Sequence, residues 1–324
     1  MFILGDSNAT LKDQTLIVEA ELMGEEQQLH PLICSEPNTE DEAYVKIPIQ
    51  TRVAWPSLFD GERKPTSTDV NVIAQYNKGT YELTMEYDAD LMREAKSYTF
   101  SEKTQEGAIS FKDWASYSLI QNVIVPNINA YDGKTFYATN HLWANAGTNT
   151  INNTVAKTGQ SPTALWNDFQ TAYSQMMTFL DDKGRKLNPR IKYGPKNLLI
   201  HAPAALGPAF IQMLRQTVMG ISVPVTTSGT AAVGASGPST IGEFQGIADL
   251  FVDGYLDAHS TTTWYLHYIG MPQRPFLYTE SYPLQFSALG YGTEYERLKN
   301  RVAILGKHRW VEGTYRFDRS IRVA

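Results

Sequence analysis

The sequence predicts an α+β fold, because strand-like and helix-like patterns both occur along the chain. Residues 80–87 alternate polar and apolar side chains, which is typical of a strand with one buried face. Residues Phe111, Ala115, Leu119 and Val123 recur at a spacing of four, which predicts an amphipathic helix. Ser161 followed by Pro162 predicts the start of a second helix, since serine caps helices and proline suits their first position.

Length and composition indicate a folded protein with room for two domains. The chain has 324 residues, of which 42% are hydrophobic and 19% are charged. That balance supports a buried core and argues against general disorder. The aromatic residues comprise 18 Tyr, 13 Phe and 6 Trp, a composition that suits both cores and subunit contacts.

Charge, cysteine content and hydropathy exclude several classes of protein. The net charge of −6 argues against dedicated nucleic-acid binding, which usually requires a basic excess. Cys34 is the sole cysteine, so no intrachain disulfide is expected. The N-terminus lacks the features of a signal peptide, and no apolar run approaches the ~20 residues that span a membrane. We expect a soluble protein that is made in the cytosol.

The N-terminal quarter predicts an arm followed by a long hairpin. Residues 1–43 include a polar, acidic, proline-containing stretch at 35–42 that cannot bury a face of its own. Residues 44–50 and 80–87 read as strands, and the charged, turn-rich residues 60–65 lie between them. A hairpin of two strands has too little core to be stable alone, so it should lie on another surface.

The middle of the chain predicts helices. A long helix should start near residue 88 and stop at Pro126, with Trp114 and Ile120 widening its apolar stripe. The second helix, at 163–180, should bury one face. That face comprises Leu165, Phe169, Ala172, Met176 and Leu180. A turn at 181–187, a strand at 197–201 and a third helix at 204–214 should follow.

The remainder predicts a loop and several strands. Residues 220–246 are low in charge and rich in small residues, which indicates a long loop. Strands are expected at 263–269 and 276–278. Residues 301–305 and 313–323 alternate apolar or aromatic with charged residues, which predicts a hairpin with one solvated face.

No pattern predicts catalysis, a cofactor or a metal. Residues 229–236 resemble a phosphate-binding loop, but Ala235 stands where that loop needs lysine. The six histidines are scattered and none is paired at the i, i+4 spacing of two ligands on one helix. Asp181, Asp182 and Gly184 lack the alternating ligands and closing glutamate of a calcium loop, so a helix-terminating turn is expected. The sequence therefore indicates a protein that is not an enzyme.

Several blocks of sequence resemble the major head subunit of Mu-like bacteriophages. They are FDGERK at 59–64, YNKGTY at 76–81, YDGKTF at 131–136, the segment 165–187, LLI at 198–200 and RLKNRVAI at 297–304. Their order and spacing, over about three quarters of the chain, carry the resemblance. It implies the tailed-phage major capsid fold of the Hong Kong 97 type.

That fold implies four parts for this chain. Residues 1–43 would be the N-terminal arm and residues 44–87 the extended loop. Residues 88–130 and 270–324 would form the peripheral domain, including its long spine helix. Residues 131–269 would form the axial domain that faces the capsomer centre.

The resemblance also implies a function and partners. The chain would be a major capsid protein of a virion, assembled in the bacterial cytoplasm through hexamers and pentamers into an icosahedral shell. The shell would enclose double-stranded DNA, contacted non-specifically at most. Portal, a separate scaffolding protein and a decoration protein are candidate partners. The alternatives are an encapsulin-like shell around a cargo enzyme and a free-standing enzyme or sugar-binding module, which would elute near 36 kDa or a small multiple.

Two groups of residues are candidates for subunit contacts. The first lies in the extended loop and comprises Trp55, Phe59, Asp60, Glu62, Arg63, Lys64, Tyr76 and Lys78. The second lies near the C-terminus and comprises Arg316, Arg319 and Arg322. These three arginines could instead form a solvated strand face or touch a nucleic-acid backbone. Lys64 or Lys78 could crosslink to Asn300 of a neighbour, as in some relatives, although solvated lysines are the simpler interpretation.

Overall fold

The computed structural model describes residues 28–37, 43–51, 70–90, 97–215, 246–289 and 294–324. The predicted arm before residue 28, the hairpin tip at 60–65 and most of the 220–246 loop lie outside these residues. The described residues form two compact units. The first draws on 1–48, 73–128 and 276–314, and the second on 49–72, 129–275 and 315–324.

Strands and helices alternate along the described residues, in agreement with the predicted α+β class. The strands are β1 Cys34–Ser35, β2 Tyr44–Gln50, β3 Val70–Asn77, β4 Gly79–Asp88, β5 His141–Leu142, β6 Thr150–Ile151, β7 Thr154–Val155, β8 Leu198–Pro203, β9 Asp249–Asp253, β10 Trp264–Tyr268, β11 Phe276–Leu289, β12 Arg301–Thr314 and β13 Ser320–Val323. The α-helices are α1 His30–Ile33, α2 Ser97–Leu119, α3 Pro162–Thr178, α4 Gly207–Arg215, α5 Gly254–Asp257 and α6 Glu294–Lys299.

The first unit is built on a four-stranded sheet in the order β1-β11-β12-β4. Strand β12 pairs antiparallel with both β11 and β4 along most of its length, and β1 pairs parallel with the start of β11. Helix α2 packs on one face of this sheet. The core between them contains Met85, Tyr87, Ala89, Ala108, Val302 and Ile304.

Helix α2 confirms most of the predicted apolar stripe. Phe111, Ala115, Leu119 and Val123 are buried, as is Ile120. Trp114 is 39% exposed, so the prediction that it widens the buried stripe is wrong. The helix ends at Leu119 and continues as a single π-helical turn, Ile120–Ile124, just before Pro126.

The second unit is built on a five-stranded sheet in the order β7-β13-β10-β8-β9. Helices α3 and α4 pack beside it and bury the predicted apolar faces, including Leu165, Phe169 and Phe210. The predicted cap is confirmed, because the Ser161 hydroxyl accepts a hydrogen bond from the Ala164 N–H at 3.2 Å. Leu180 lies beyond the helix, which ends at Thr178.

The turn after α3 is held by one carboxylate. Asp181 accepts hydrogen bonds from the N–H groups of Lys183 at 2.9 Å and Arg185 at 2.8 Å. Gly184 adopts a φ of 73°, in the left-handed region that favours glycine. The other Asp181 oxygen, Oδ2, accepts from Arg185 Nε at 3.1 Å, and the predicted turn after the helix is confirmed.

The C-terminal residues differ from the predicted hairpin. Strand β12 is a single strand of 14 residues between β11 and β4, whereas β13 pairs with β10 and β7 in the other sheet. A 3₁₀ turn at Phe317–Arg319, with Phe317 fully buried, separates them. Residues 315–324 therefore belong with the second unit rather than with residues 301–314. Alternation predicts a strand but not its partner, and this is why the hairpin prediction is wrong.

No helix within the described residues has both the length and the apolar content that crossing a membrane requires.

Replacing Phe169 by alanine should lower the free energy of unfolding by about 3–5 kcal/mol, because Phe169 is fully buried and its loss leaves a cavity. Ile211→Ala is the matched control, since Ile211 is 40% exposed on the neighbouring α4. Urea denaturation measures both variants. Equal midpoints for Phe169→Ala and the wild type would show that the face of α3 is misassigned.

Candidate subunit interface

The predicted contact residues of the extended loop lie partly outside the described residues. Those outside are Trp55, Phe59, Asp60, Glu62, Arg63 and Lys64. Tyr76 ends strand β3, and Lys78 lies between β3 and β4. For the residues outside, contact with a neighbouring subunit stays a prediction.

Tyr76 anchors the hairpin to its own subunit. Its hydroxyl donates to the carbonyl oxygen of Thr314 at 2.5 Å and lies 2.9 Å from the Thr314 hydroxyl. Its ring lies on Gly313, where a Cβ atom would come within 2.6 Å of the ring. Burial raises the pKa of Tyr76. Gly313 is therefore needed so that the tyrosine can lie against strand β12.

Lys78 is buried although its side chain carries a positive charge. Its backbone N–H donates to the Ala43 carbonyl at 3.0 Å, which holds the lysine at the base of the hairpin. The side chain is 9% exposed, and its ammonium has no hydrogen-bond partner among the described residues. Burying an unpaired cation is strongly unfavourable.

The C-terminal arginines have partners within their own unit. Arg316 is buried and forms two hydrogen bonds with Asp318, Nε to Oδ1 at 2.7 Å and Nη2 to Oδ2 at 2.8 Å. Its guanidinium also lies 4.5 Å from the centre of the Trp143 ring. Burial alone would lower the pKa of Arg316, but the Asp318 carboxylate raises it. The pair thus fixes the turn between β12 and β13.

Arg319 and Arg322 also lie against aromatic rings of the second unit. Arg319 is 4% exposed, contacts the Tyr268 ring and donates to the Gln273 carbonyl. Burial, followed by repulsion from Arg316, lowers the pKa of Arg319 to about 10. Arg322 is half-buried against the Tyr137 ring at 5.8 Å. Neither Arg316 nor Arg319 presents a solvated face, and contact of the three with another subunit stays a prediction.

An apolar groove opens between helix α2 and strand β4 in the first unit. It has a volume of about 250 Å³. It is lined by Tyr81, Glu82, Leu83, Ser110, Phe111 and Trp114. The Trp114 ring lies at its rim, 6.2 Å from Tyr81, which in turn stacks on Trp310 at 3.8 Å. Sequence reasoning missed this groove because the spacing of Trp114 from Phe111 suggested burial.

Local packing explains why the groove exists. At Gly107 the helix approaches the sheet so closely that an added Cβ atom would come within 2.3 Å of the Met85 sulfur. Further along, the bulky Trp114 and Tyr81 keep the two elements apart. Strand β4 is also the last strand of its sheet, and no other described strand pairs with its outer side. Among the described strands, the groove therefore lies beside the outermost strand of the sheet.

In the second unit, strand β9 is also an outer strand of its sheet and has exposed apolar side chains beside it. Strand β9 ends the five-stranded sheet, and apolar Val252, Ile211 and Tyr255 beside it are all at least 40% exposed. At the opposite end, Gln175 covers β7 by donating to the Thr154 carbonyl at 3.1 Å. One edge of this sheet is thus covered and the other is open among the described residues.

A buried polar network in the second unit superficially resembles a catalytic arrangement. The Ser320 hydroxyl lies 2.9 Å from His267 Nδ1 and 2.9 Å from the Tyr137 hydroxyl, while His201 pairs with Asp253 at 3.1 Å. Ser320 and His267 have no exposed surface, and burial lowers the pKa of His267 well below its usual value. A substrate cannot reach this serine, so the network stabilises the sheet. Within the described ranges, no group of three or more His, Cys, Asp or Glu side chains could hold a metal ion.

The N-terminal segment joins the first unit at helix α1. The N–H groups of Leu29 and His30 point to the Ser116 hydroxyl at 3.1 and 3.4 Å, and the His30 ring lies 4.5 Å from the Tyr278 ring. Burial lowers the pKa of His30 to about 4. Nearby Glu280 raises it in part, and His308 lowers it further. Neutral His30 is therefore the form that this packing favours.

Comparison with known proteins identifies the fold. No protein-family model and no curated sequence matches the chain. The capsid structure of the cyanophage P-SCSP1u has a TM-score of 0.52 and 10% identity, covering 92% of this chain and 88% of that chain. The mature capsid of bacteriophage PhiM1 has a TM-score of 0.52 and 10% identity, covering 93% and 87%. A virus-like particle from Pyrococcus furiosus has a TM-score of 0.53 and 8% identity, covering 97% and 98%.

Replacing Asp318 by alanine should destabilise the protein by about 3–5 kcal/mol, because it leaves the Arg316 guanidinium buried and unpaired. Glu86→Ala is the control, since the pair of Glu86 with Arg301 is largely exposed and should contribute about 0–1 kcal/mol. Urea denaturation compares the two. A loss for Asp318→Ala no larger than that for Glu86→Ala would contradict the role of the buried pair.

Acid should weaken the attachment of α1. The folded pKa of His30 is about 4 and its usual value is 6.5, so the unfolded chain binds the proton more tightly between these values. The contribution of neutral His30 to the free energy of unfolding is complete above pH 6.5 and is lost as the pH falls towards 4. His30→Gln should therefore lose less stability than the wild type between these two pH values. Equal losses of stability for His30→Gln and the wild type, measured by urea denaturation, would show that His30 does not cause the acid sensitivity.

The matches extend over nearly the whole chain, and the procapsid of bacteriophage JBD30 is a further one, with a TM-score of 0.50. The chain therefore has the Hong Kong 97 type fold of tailed-phage major capsid proteins.

Proposed function

We propose that this chain is the major capsid protein of a tailed bacteriophage. Copies would assemble through hexamers and pentamers into an icosahedral shell that encloses double-stranded DNA. The single observation that carries the proposal is the similarity to phage capsid structures over 92–93% of the chain. The function would thus lie in contacts between copies rather than in catalysis, which agrees with the complete burial of Ser320 and His267.

The surface of one subunit supports this proposal. Three features lack a partner strand or charge among the described residues: the outer side of β4 with its groove, the outer side of β9 with its exposed apolar side chains, and the buried ammonium of Lys78. All three would be satisfied by neighbouring chains. Head-to-tail contacts of this kind form closed rings, and rings can close into a shell.

Individually weak contacts are sufficient for such a shell. A contact worth about 4 kcal/mol corresponds to a millimolar dissociation constant. Several contacts per subunit act together once a ring has formed, so the particle is far more stable than any one contact. Weak contacts also allow misplaced subunits to dissociate during assembly.

The parts of the chain would have separate roles in the shell. Residues 1–43 would be the arm, residues 44–87 the extended loop, residues 88–130 with 270–314 the peripheral domain, and residues 131–269 with 315–324 the axial domain. This assignment moves residues 315–324 from the peripheral to the axial domain, because β13 pairs with β10 in the second unit.

The blocks of sequence at 59–64, 76–81 and 131–136 favour a Mu-like head in particular.

We further propose that the protein is a virion component assembled in the bacterial cytoplasm. A portal protein and a separate scaffolding protein would assist assembly, and a decoration protein would bind the finished shell. With a net charge of −6, the subunit would contact the packaged DNA only non-specifically.

One observation favours a second candidate function. The virus-like particle from Pyrococcus furiosus matches 97% of this chain and 98% of its own. An encapsulin-like shell would enclose a cargo enzyme instead of a genome. Particles isolated from the native source separate the two cases, since a phage head protects DNA from nuclease and a compartment contains a second protein.

Negative-stain electron microscopy of the purified protein, expressed with its scaffolding protein if required, tests the proposal. We expect closed, uniform shells. Subunits that remain single, well-folded particles near 36 kDa under all such conditions would overturn it.

Deleting residues 60–65 should leave a folded, soluble subunit that forms no shells, because the tip of the extended loop would no longer reach a neighbour. Far-ultraviolet circular dichroism and thermal denaturation control for folding. Electron microscopy then shows whether the variant forms shells. Normal shells from this variant would show that residues 44–87 are not the extended loop.

A further inference from the structure

A concentrated basic segment lies between α3 and β8 in the second unit. Residues 181–196 carry six basic and two acidic side chains, whereas the whole chain carries 28 and 34. Five of the basic side chains are exposed: Lys183, Lys186, Arg190, Lys192 and Lys196. The sixth, Arg185, pairs with the buried Asp181 at 3.1 Å. The segment is therefore strongly positive, although the chain as a whole has a net charge of −6.

The five exposed cations have no carboxylate partner within the part of the chain that the structure describes. None of them takes part in a salt bridge there. The Asp249 carboxylate accepts a hydrogen bond from the backbone N–H of Lys196, at 2.9 Å. Asp182, the other acidic residue of the segment, is half-buried. The five positive charges are thus left for solvent or for a bound polyanion.

The backbone of the basic segment is held in place by buried groups. The Asn188 side chain donates a hydrogen bond to the Asp318 carbonyl oxygen at 2.6 Å. Ile191 is 6% exposed, and its carbonyl oxygen accepts a hydrogen bond from the Tyr173 hydroxyl at 2.9 Å. The Tyr173 ring also stacks on the Tyr193 ring at 4.4 Å. The exposed cations therefore extend from a fixed backbone, so a ligand loses little affinity to ordering of the chain.

The composition of this surface fits a phosphate backbone better than another protein. Contacts between proteins are depleted of lysine and have an apolar centre. Here four of the five exposed cations are lysines, and Tyr193, at 51% exposed, is the sole large exposed hydrophobic residue of 181–196. Lysine and arginine neutralise the phosphates of nucleic acids whatever the base sequence. The segment therefore indicates a ligand with many regularly repeated negative charges.

We infer that residues 183–196 bind the phosphate backbone of the packaged DNA without reading its sequence. This inference rests on the proposed function and assigns the non-specific DNA contact to one surface of the second unit. It requires that this surface faces the interior of the shell. The negative charge of the rest of the chain repels DNA, so the contact is weak and confined to this segment.

Charge-removal variants of the purified, unassembled subunit test the contact. Binding of a fluorescent DNA duplex is measured by anisotropy between about 50 and 200 mM salt. The test variant replaces three lysines of the segment: Lys183→Gln, Lys186→Gln and Lys192→Gln. The matched control removes the same charge from exposed positions of the first unit: Lys46→Gln, Arg297→Gln and Lys307→Gln.

The test variant should bind the duplex about tenfold more weakly at the low-salt end. The slope of log affinity against log salt should become shallower by about 3, because each lost phosphate contact removes about 0.9 from it. The control variant should keep the affinity and the slope of the wild type.

Lysine acetylation of assembled heads, read by mass spectrometry, tests the same contact in the particle. Lys183, Lys186 and Lys192 should react several-fold more slowly in DNA-filled heads than in empty shells, because bound phosphates shield them. Lys307 should react equally in both, since it lies on the first unit.

Three outcomes would overturn the inference while leaving the proposed function intact. Equal weakening of DNA binding in the test and control variants would show that only the net charge matters. Tighter binding of poly-glutamate than of DNA would assign the segment to an acidic protein. Equal acetylation of the three lysines in filled and empty heads would place the segment away from the DNA. Absence of shells under all conditions would reject the proposed function and this inference together.

Discussion

The packing of α2 on the four-stranded sheet is the contact on which the first unit depends. Gly107 lets the helix lie directly on Met85, and the cluster of Met85, Tyr87, Ala108, Val302 and Ile304 joins strands that are more than 200 residues apart in sequence. Any side chain at Gly107 would require the Met85 sulfur or the helix to move. The same contact anchors α1 through Ser116 and leaves the groove where Trp114 and Tyr81 hold the two elements apart.

The structure separates residues that stabilise the subunit from surfaces that a neighbour would complete. Tyr76 and Arg316 bond to groups of their own chain, and so does Nη1 of Arg319. The open edges of β4 and β9 and the ammonium of Lys78 are not satisfied by the described residues. In a shell-forming protein this division is expected, because the subunit must fold before assembly and still offer contacts to its copies. The buried histidine and serine side chains of the second unit likewise stabilise the subunit itself.

Local patterns predicted the elements better than their pairing. The strand at 80–87, the capped helix after Ser161 and the apolar faces of α3 and α4 are confirmed, because each depends on side-chain period or on a local cap. Strand β11 was predicted only at 276–278 but continues to Leu289, past register shifts between Glu280 and Gln285 that interrupt the alternation around Pro283. The exposure of Trp114 and the placement of β13 in the second sheet depend on contacts between distant parts of the chain, which periodicity does not encode. The resemblance to Mu-like head subunits, carried by short blocks in order, predicted the fold that the structure has.

The central claim is that this chain acts by binding copies of itself. Sedimentation velocity of the purified protein over a range of concentrations tests it most directly. The account predicts that rings and closed shells sediment far faster than a single chain and increase with concentration, with few species of intermediate size. A single boundary of a 36.3 kDa monomer at every concentration, with and without scaffolding protein, would contradict it.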